Sequence, residues 1–206
     1  MSRSGLIIAV SGPSGVGKGT VLGAVEKALA SSDPASVGRS ISATTRKPRG
    51  EEKDGVEYYF KSTAEFEKLI ADGEIIEYDM YCGNYYGTPA EPVRKMVSEG
   101  KVVLFDITIE GSLALKRFFP EDAVTIFILP PSMEELEQRL RGRGTEEDDV
   151  VRARLSQAKL EITRADEFEY IVTNRSVEQA EGDILSIIRA EMLKQSRHDE
   201  TANNLE

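Results

Sequence analysis

The chain has 206 residues, of which 40% are hydrophobic and 30% charged. That is enough apolar material for a packed core, it excludes wholesale disorder, and it permits one medium domain with insertions or at most two small ones. A formal net charge of -10 disfavours nucleic acid as a general partner, because backbone phosphates need a basic face. Cys82 and His198 are the only residues of their types, which rules out an intramolecular disulfide and leaves a thiol-rich metal site or a histidine-based triad without material. No apolar run approaches the ~20 residues of a membrane span. The expectation is a cytoplasmic protein with no membrane partner, either a monomer or a homodimer.

Leu6 to Val10 is short, apolar and β-branched, and Gly12 and Pro13 end it, so it reads as a fully buried strand. A helix is predicted to start near Gly17, with Leu22, Val25 and Leu29 at helical spacing and Ser31 to Pro34 as its stop. From about Ser42 to Val97 the chain is more polar and richer in Tyr and Gly. Val56 to Phe60, Glu74 to Met80 and Asn84 to Tyr86 read as short strands around one helix. That helix has a capping box at Ser62 and Glu65, an apolar face of Phe66, Leu69 and Ile70, and a stop at Gly73. Val102 to Asp106, Val124 to Ile128 and Tyr170 to Thr173 are further buried-strand candidates. Capping boxes are predicted at Ser132 with Glu135 and at Ser176 with Gln179. Strand and helix in alternation argue for an α/β fold with a parallel sheet covered on both faces. The charged stretch from Leu140 to Ala158 reads as a second insertion, and residues 196–206 as a frayed tail.

Gly12-Pro13-Ser14-Gly15-Val16-Gly17-Lys18 fits G-x-x-x-x-G-K directly after a strand and at the head of a helix. Glycines let consecutive N–H groups point inward, the helix N-terminus adds partial positive charge, and Lys18 reaches the β- and γ-phosphates of a nucleoside triphosphate. The hydroxyl residue usual after the lysine is replaced by Gly19, and Thr20 follows. Either Thr20 serves phosphate, or magnesium is held mainly by ATP oxygens and water. Local basic clusters, Arg39 to Arg49 and Arg139 to Arg154, in an acidic chain suit a small polyanion. Arg46 and Arg49 can fork onto a monophosphate, and the hydroxyls of Tyr58 and Tyr86 can donate to the same oxygens.

After the phosphate loop come Ser42-Ala-Thr-Thr-Arg46-Lys-Pro-Arg49, then Glu77, then Gly83-Asn84-Tyr85-Tyr86-Gly87-Thr88, then Arg143-Gly144-Thr145 with Arg154 eleven residues after Arg143. This ordered series resembles the guanylate kinase family, over about Leu6 to Asn174. The resemblance implies a three-layer P-loop NTPase core (1–41, 98–139 and 159–195), an α+β GMP-binding insertion (42–97) and a small helical lid (140–158). It implies transfer of the γ-phosphoryl of ATP to GMP or dGMP with Mg2+ as cofactor. Gly12 to Thr20, Arg139 and Asn174 would hold ATP; Ser42, Arg46, Arg49, Tyr58, Glu77, Tyr86 and Thr88 would hold GMP. Glu77 would choose the base, since one carboxylate accepts both the N1–H and the 2-amino group of guanine, a pair adenine lacks. Lys18, Arg46, Arg143 and Arg154 would stabilise the transferring group, and Asp106 would hold magnesium's water shell. Members of the family often show Asp-Ile-Asp-x-Gln-Gly where this chain has Asp106-Ile-Thr108-Ile-Glu110-Gly111, so base or metal contacts at Thr108 and Glu110 differ. Two rival readings remain: a kinase for AMP, dTMP or a phosphorylated ribose, and a non-enzymatic module that binds phosphorylated peptides. The intact phosphate loop counts against the second.

Overall fold

The computed structural model describes residues 4–142 and 148–197. Arg143, Gly144, Thr145, His198 and the tail from 198 on lie outside the described residues. The core is a five-stranded parallel sheet built from β1 (Leu6–Ser11), β2 (Val37–Arg39), β7 (Val102–Asp106), β8 (Ala123–Leu129) and β9 (Tyr170–Thr173), in the order β2-β7-β1-β8-β9. Alternation along β1 explains the layers, because successive side chains of a strand point to opposite faces. Leu6, Ile8 and Val10 pack on one face against Val21, Leu22 and Val25 of α1 (Lys18–Ser32) and Ala180, Ile184 and Ile188 of α7 (Val177–Met192). Ile7 and Ala9 pack on the other against Val93 and Val97 of α3 (Ala90–Ser98) and Leu115 of α4 (Ile109–Phe118). Each fully buried Leu or Ile contributes about 1.5–3 kcal/mol. β1 therefore holds two layers at once, and the loop that follows it opens at the carboxyl edge of the sheet, where open α/β sheets place ligands.

A second sheet has four strands in the order β4-β3-β6-β5, formed by β3 (Ala43–Thr44), β4 (Tyr59–Phe60), β5 (Ile75–Tyr81) and β6 (Asn84–Pro89). One helix, α2 (Thr63–Ala71), backs it. Its capping box is complete: Ser62 Oγ accepts from the Glu65 N–H and the Glu65 carboxylate accepts from the Ser62 N–H. Phe66 on α2 is fully buried and stacks on Tyr85 with ring centroids 5.1 Å apart. Gly87 lies beneath that ring, where an added Cβ would be 3.1 Å from the ring tip and 2.6 Å from the Glu77 carbonyl. The third part is a helical pair, α5 (Met133–Arg141) and α6 (Asp148–Ile162), joined by Leu136, Leu140, Val151 and Ala158.

Several expectations need correction. The strand placed at Val56–Phe60 is two residues long, and Val56 is 60% exposed in the preceding turn, because Gly55 takes a left-handed φ of 76° and bends the chain there. The boxes at Ser132 and Ser176 form only their forward half, with the serine hydroxyl accepting from Glu135 or Gln179 N–H. Arg197, the last described residue of the tail expected to fray from Ser196, is 4% exposed and donates to the carbonyls of Gly5 and Glu121 and to Asp122.

Candidate functional site

The turn after β1 needs its glycines. Gly12, Gly15 and Gly17 have φ of 149°, 89° and 97°. A Cβ at Gly12 would lie 2.4 Å from the Ile128 carbonyl, and one at Gly15 would lie 2.6 Å from the Leu140 side chain. Backbone therefore runs tight against β8 and α5, and α1 begins at Lys18 with no side-chain cap. The first N–H groups of α1 are left for an anion. Lys18 Nζ donates to the Gly12 carbonyl at 2.6 Å, folded over its own loop.

On one flank Asn174, 5% exposed, donates from Nδ2 to the Val16 carbonyl at 2.8 Å. Arg139 braces the same corner, donating to the carbonyls of Val16 at 3.2 Å and Asn174 at 2.9 Å while pairing with Glu135 at 2.6 Å. Gly15, Gly17, Thr20, Arg139 and Asn174 line one shallow cleft with Arg175 to Val177. Thr20 thus faces this flank, on the opposite side of the loop from Asp106.

On the other flank, a cleft of about 320 Å³ brings Ser42, Glu77 and Thr88 of the second sheet up to Gly19, Gly23 and Asp106 of the core. Adjacent antiparallel strands set Glu77 beside Thr88, whose Oγ1 donates to Glu77 Oε1 at 2.7 Å. Burial pushes the Glu77 carboxyl above its ordinary value, against the pull of the Thr88 hydrogen bond. A carboxylate shielded from water and held by one donor is a strong acceptor for two further donors.

Arg46, Tyr58 and Tyr86 form a separate cluster on the same sheet. The Arg46 guanidinium lies 5.3 Å from the Tyr58 ring centroid, and the Tyr58 and Tyr86 rings are 6.0 Å apart. Glu52 was not anticipated from the sequence. Its carboxylate takes a two-point fork from Arg46, at 2.8 and 3.0 Å, and also accepts the Arg49 N–H at 2.7 Å. The Arg46 hydrogen bond, then that of Arg49, hold the Glu52 carboxyl below its ordinary value. The only sequence signal was the four-residue span Arg49-Gly50-Glu51-Glu52, a turn that returns an acid to the arginine it follows. The Arg49 side chain itself is exposed.

Asp106 ends β7 and lines both the Glu77 cleft and a second cleft of about 540 Å³ shared with Lys18, Thr108, Glu110, Gln157 and Arg164. Its Oδ2 lies 3.7 Å from where a Cβ at Gly19 would stand. Partial burial raises its carboxyl while Lys18 pulls it down. Thr108 caps α4, its Oγ1 accepting the Gly111 N–H at 3.1 Å, so its hydroxyl oxygen is already engaged. Among the described residues no group of three or more acids, histidines or cysteines could hold a metal. One carboxylate beside a phosphate cradle matches the demands of Mg2+, which keeps water and phosphate oxygens as most of its ligands. Across this cleft, Arg154 on α6 donates to Ser14 Oγ at 2.7 Å.

Known proteins are similar to this chain over nearly its whole length. The guanylate kinase family model matches residues 4–191. The chain belongs to the guanylate kinase family. It is 47% identical over 196 residues to the guanylate kinase of Bacillus anthracis, covering 95% of this chain and 93% of that protein. To the guanylate kinase of Bacillus subtilis (strain 168) it is 45% identical over 197 residues, covering 96% and 94%. A crystal structure of guanylate kinase from Anaplasma phagocytophilum superposes with a TM-score of 0.67 at 32% identity, covering 98% of this chain and 94% of that one. Among the described residues no helix is long and apolar enough to cross a membrane.

Proposed function

We propose that the chain transfers the γ-phosphoryl group of ATP to the phosphate of GMP or dGMP, giving ADP and GDP or dGDP, and that it works in the cytoplasm. The observation that carries this reading is the Glu77–Thr88 pair in a cleft that ends at Asp106 and α1, one helical turn from the phosphate loop. The triphosphate lies along Gly12 to Lys18, with its nucleoside toward Arg139, Asn174 and Thr20. The GMP base enters beside Ser42, Glu77 and Thr88, and its phosphate is met by Arg46, Arg49, Tyr58 and Tyr86.

The acceptor oxygen of a monophosphate is already ionised, so no strong base is needed. The residues supply position and charge. Lys18 unfolds from the Gly12 carbonyl to the terminal phosphates, and Arg154 neutralises the equatorial oxygens from the lid, a role that the family resemblance also gives to Arg143. Asp106 would hold Mg2+ through its water shell, and the ion would supply positive charge against the phosphate oxygens. Closure of the two flanks excludes water and limits ATP hydrolysis. Phosphorus NMR of a mixture of ATP, GMP, magnesium and protein tests the proposal. New β-phosphate signals of both ADP and GDP in equal amounts are expected; ADP with inorganic phosphate alone would refute it.

A further inference from the structure

The lid helix α6 is gripped by two different cores. Val151, Leu155 and Ala158 pack on α5, while its end reaches Ile109 of α4 and Phe127 of β8 through Ile162. On another face of the same helix Gln157 and Glu161 line the larger cleft together with Lys18 and Asp106. Just beyond the helix stands Arg164. Its Nε and Nη2 fork onto Glu167 at 2.6 and 3.1 Å, and its Nη1 donates to Glu110 in the first turn of α4. One guanidinium therefore ties the foot of the lid helix to the segment four residues after Asp106.

Stability does not account for this arrangement. The Arg164 and Glu110 side chains are 36% and 73% exposed, and ion pairs that wet contribute little to folding. Their place at the edge of the cleft is what distinguishes them. Both carboxyls are held below their ordinary values, chiefly by Arg164, so the network is fully charged near neutral pH.

We propose that Arg164 is a positioning residue: through Glu110 and Glu167 it fixes the foot of α6 against α4 and so sets where Arg154 stands over the phosphate loop relative to Asp106. The inference rests on the phosphotransferase reading above. A guanidinium suits the task because it holds two partners in fixed directions, which an ammonium cannot. A small misplacement of groups around a transferring phosphoryl lowers the rate more than it lowers ground-state binding.

The test uses Arg164→Gln, Arg164→Lys, Glu110→Gln and the Glu110→Gln/Arg164→Gln double variant in steady-state assays with ATP and GMP. Arg164→Gln should lower kcat on the order of tenfold, with KM for both nucleotides within about twofold and an unfolding midpoint within about 2 °C of the parent. Arg164→Lys should resemble Arg164→Gln. Glu110→Gln should lower kcat less, and should add nothing to Arg164→Gln, as partners in one network do. Full kcat in Arg164→Lys would show that bare charge suffices and overturn the positioning role, as would multiplicative losses in the double variant or parental kcat in Arg164→Gln. Absence of GMP-dependent ADP production in the parent protein would count instead against the phosphotransferase reading.

Discussion

Replacing Glu77 with Gln separates base recognition from folding. In the ligand-free protein Thr88 Oγ1 donates to Glu77 Oε1 at 2.7 Å, and burial raises the carboxyl above its ordinary value. A raised carboxyl in the folded state means that folding favours the protonated form. Stability is therefore greatest below the ordinary glutamate range and declines as pH rises through the raised value, so at neutral pH the charge is a burden on folding. Glutamine removes the charge and keeps an oxygen for Thr88. The unfolding midpoint at pH 7 should accordingly hold steady or rise. Binding of GMP should behave oppositely. One acceptor for guanine is lost, and the new amide sets a donor against a donor. A charge-assisted hydrogen bond contributes about 1.5–3 kcal/mol and a buried unpaired donor costs about 1–3 kcal/mol. Together they predict a loss of roughly 10²–10⁴-fold in kcat/KM for GMP. Calorimetric titration with GMP and with ATP, beside thermal unfolding, is the assay. Equal losses for both nucleotides, or a midpoint several degrees lower with GMP binding intact, would refute the reasoning.

Lys18→Ala removes the only side-chain cation of the phosphate loop and should lower turnover by about 10² or more, with circular dichroism unchanged; near-normal turnover would exclude its role. Glu52→Gln loosens the two-point hold on Arg46 and the Arg49 N–H, and should raise KM for GMP on the order of tenfold through lost preorganisation while leaving KM for ATP in place. A lower KM for GMP would mean that Glu52 competes with the phosphate instead. Arg197→Ala strips donors from the carbonyls of Gly5 and Glu121 and from Asp122; a loss of about 2 kcal/mol is expected, or about 4–8 °C in the unfolding midpoint, with kinetic constants at 25 °C preserved.

Where the sequence could be read, strong local signals agreed with the tertiary fold. Leu6 to Val10 is apolar on both alternating sets because both of its faces are covered, and that pattern has few other solutions. The Ser62–Glu65 box is fully local and formed as expected. The strands β2 and β3, of three and two residues, leave no periodicity to detect. α3 was hidden because Pro92 sits in its first turn, where proline is tolerated but reads as a break. Ser42, Glu77 and Thr88, the set proposed to face guanine, was chosen through family resemblance, since no spacing in the chain reports that the second sheet brings them to one cleft with α1. Glu52 pairs with Arg46 and Arg49 across a short turn that only weakly marks it in the sequence, whereas the Arg164–Glu110 contact joins residues 54 apart and leaves no local signal. Thr108 shows the reverse, a departure visible in the sequence whose local duty, capping α4, needed the structure.

The proposed reaction requires the Glu77 cleft to take a purine and deliver its monophosphate to the phosphate loop. Comparing ADP formation from ATP with GMP, dGMP, AMP, UMP and dTMP as acceptors, under one set of conditions, tests it most directly. Rapid turnover with GMP and dGMP and at least about 10³-fold slower turnover with AMP is the predicted result. Equal use of AMP, or preference for a pyrimidine nucleotide, would contradict it.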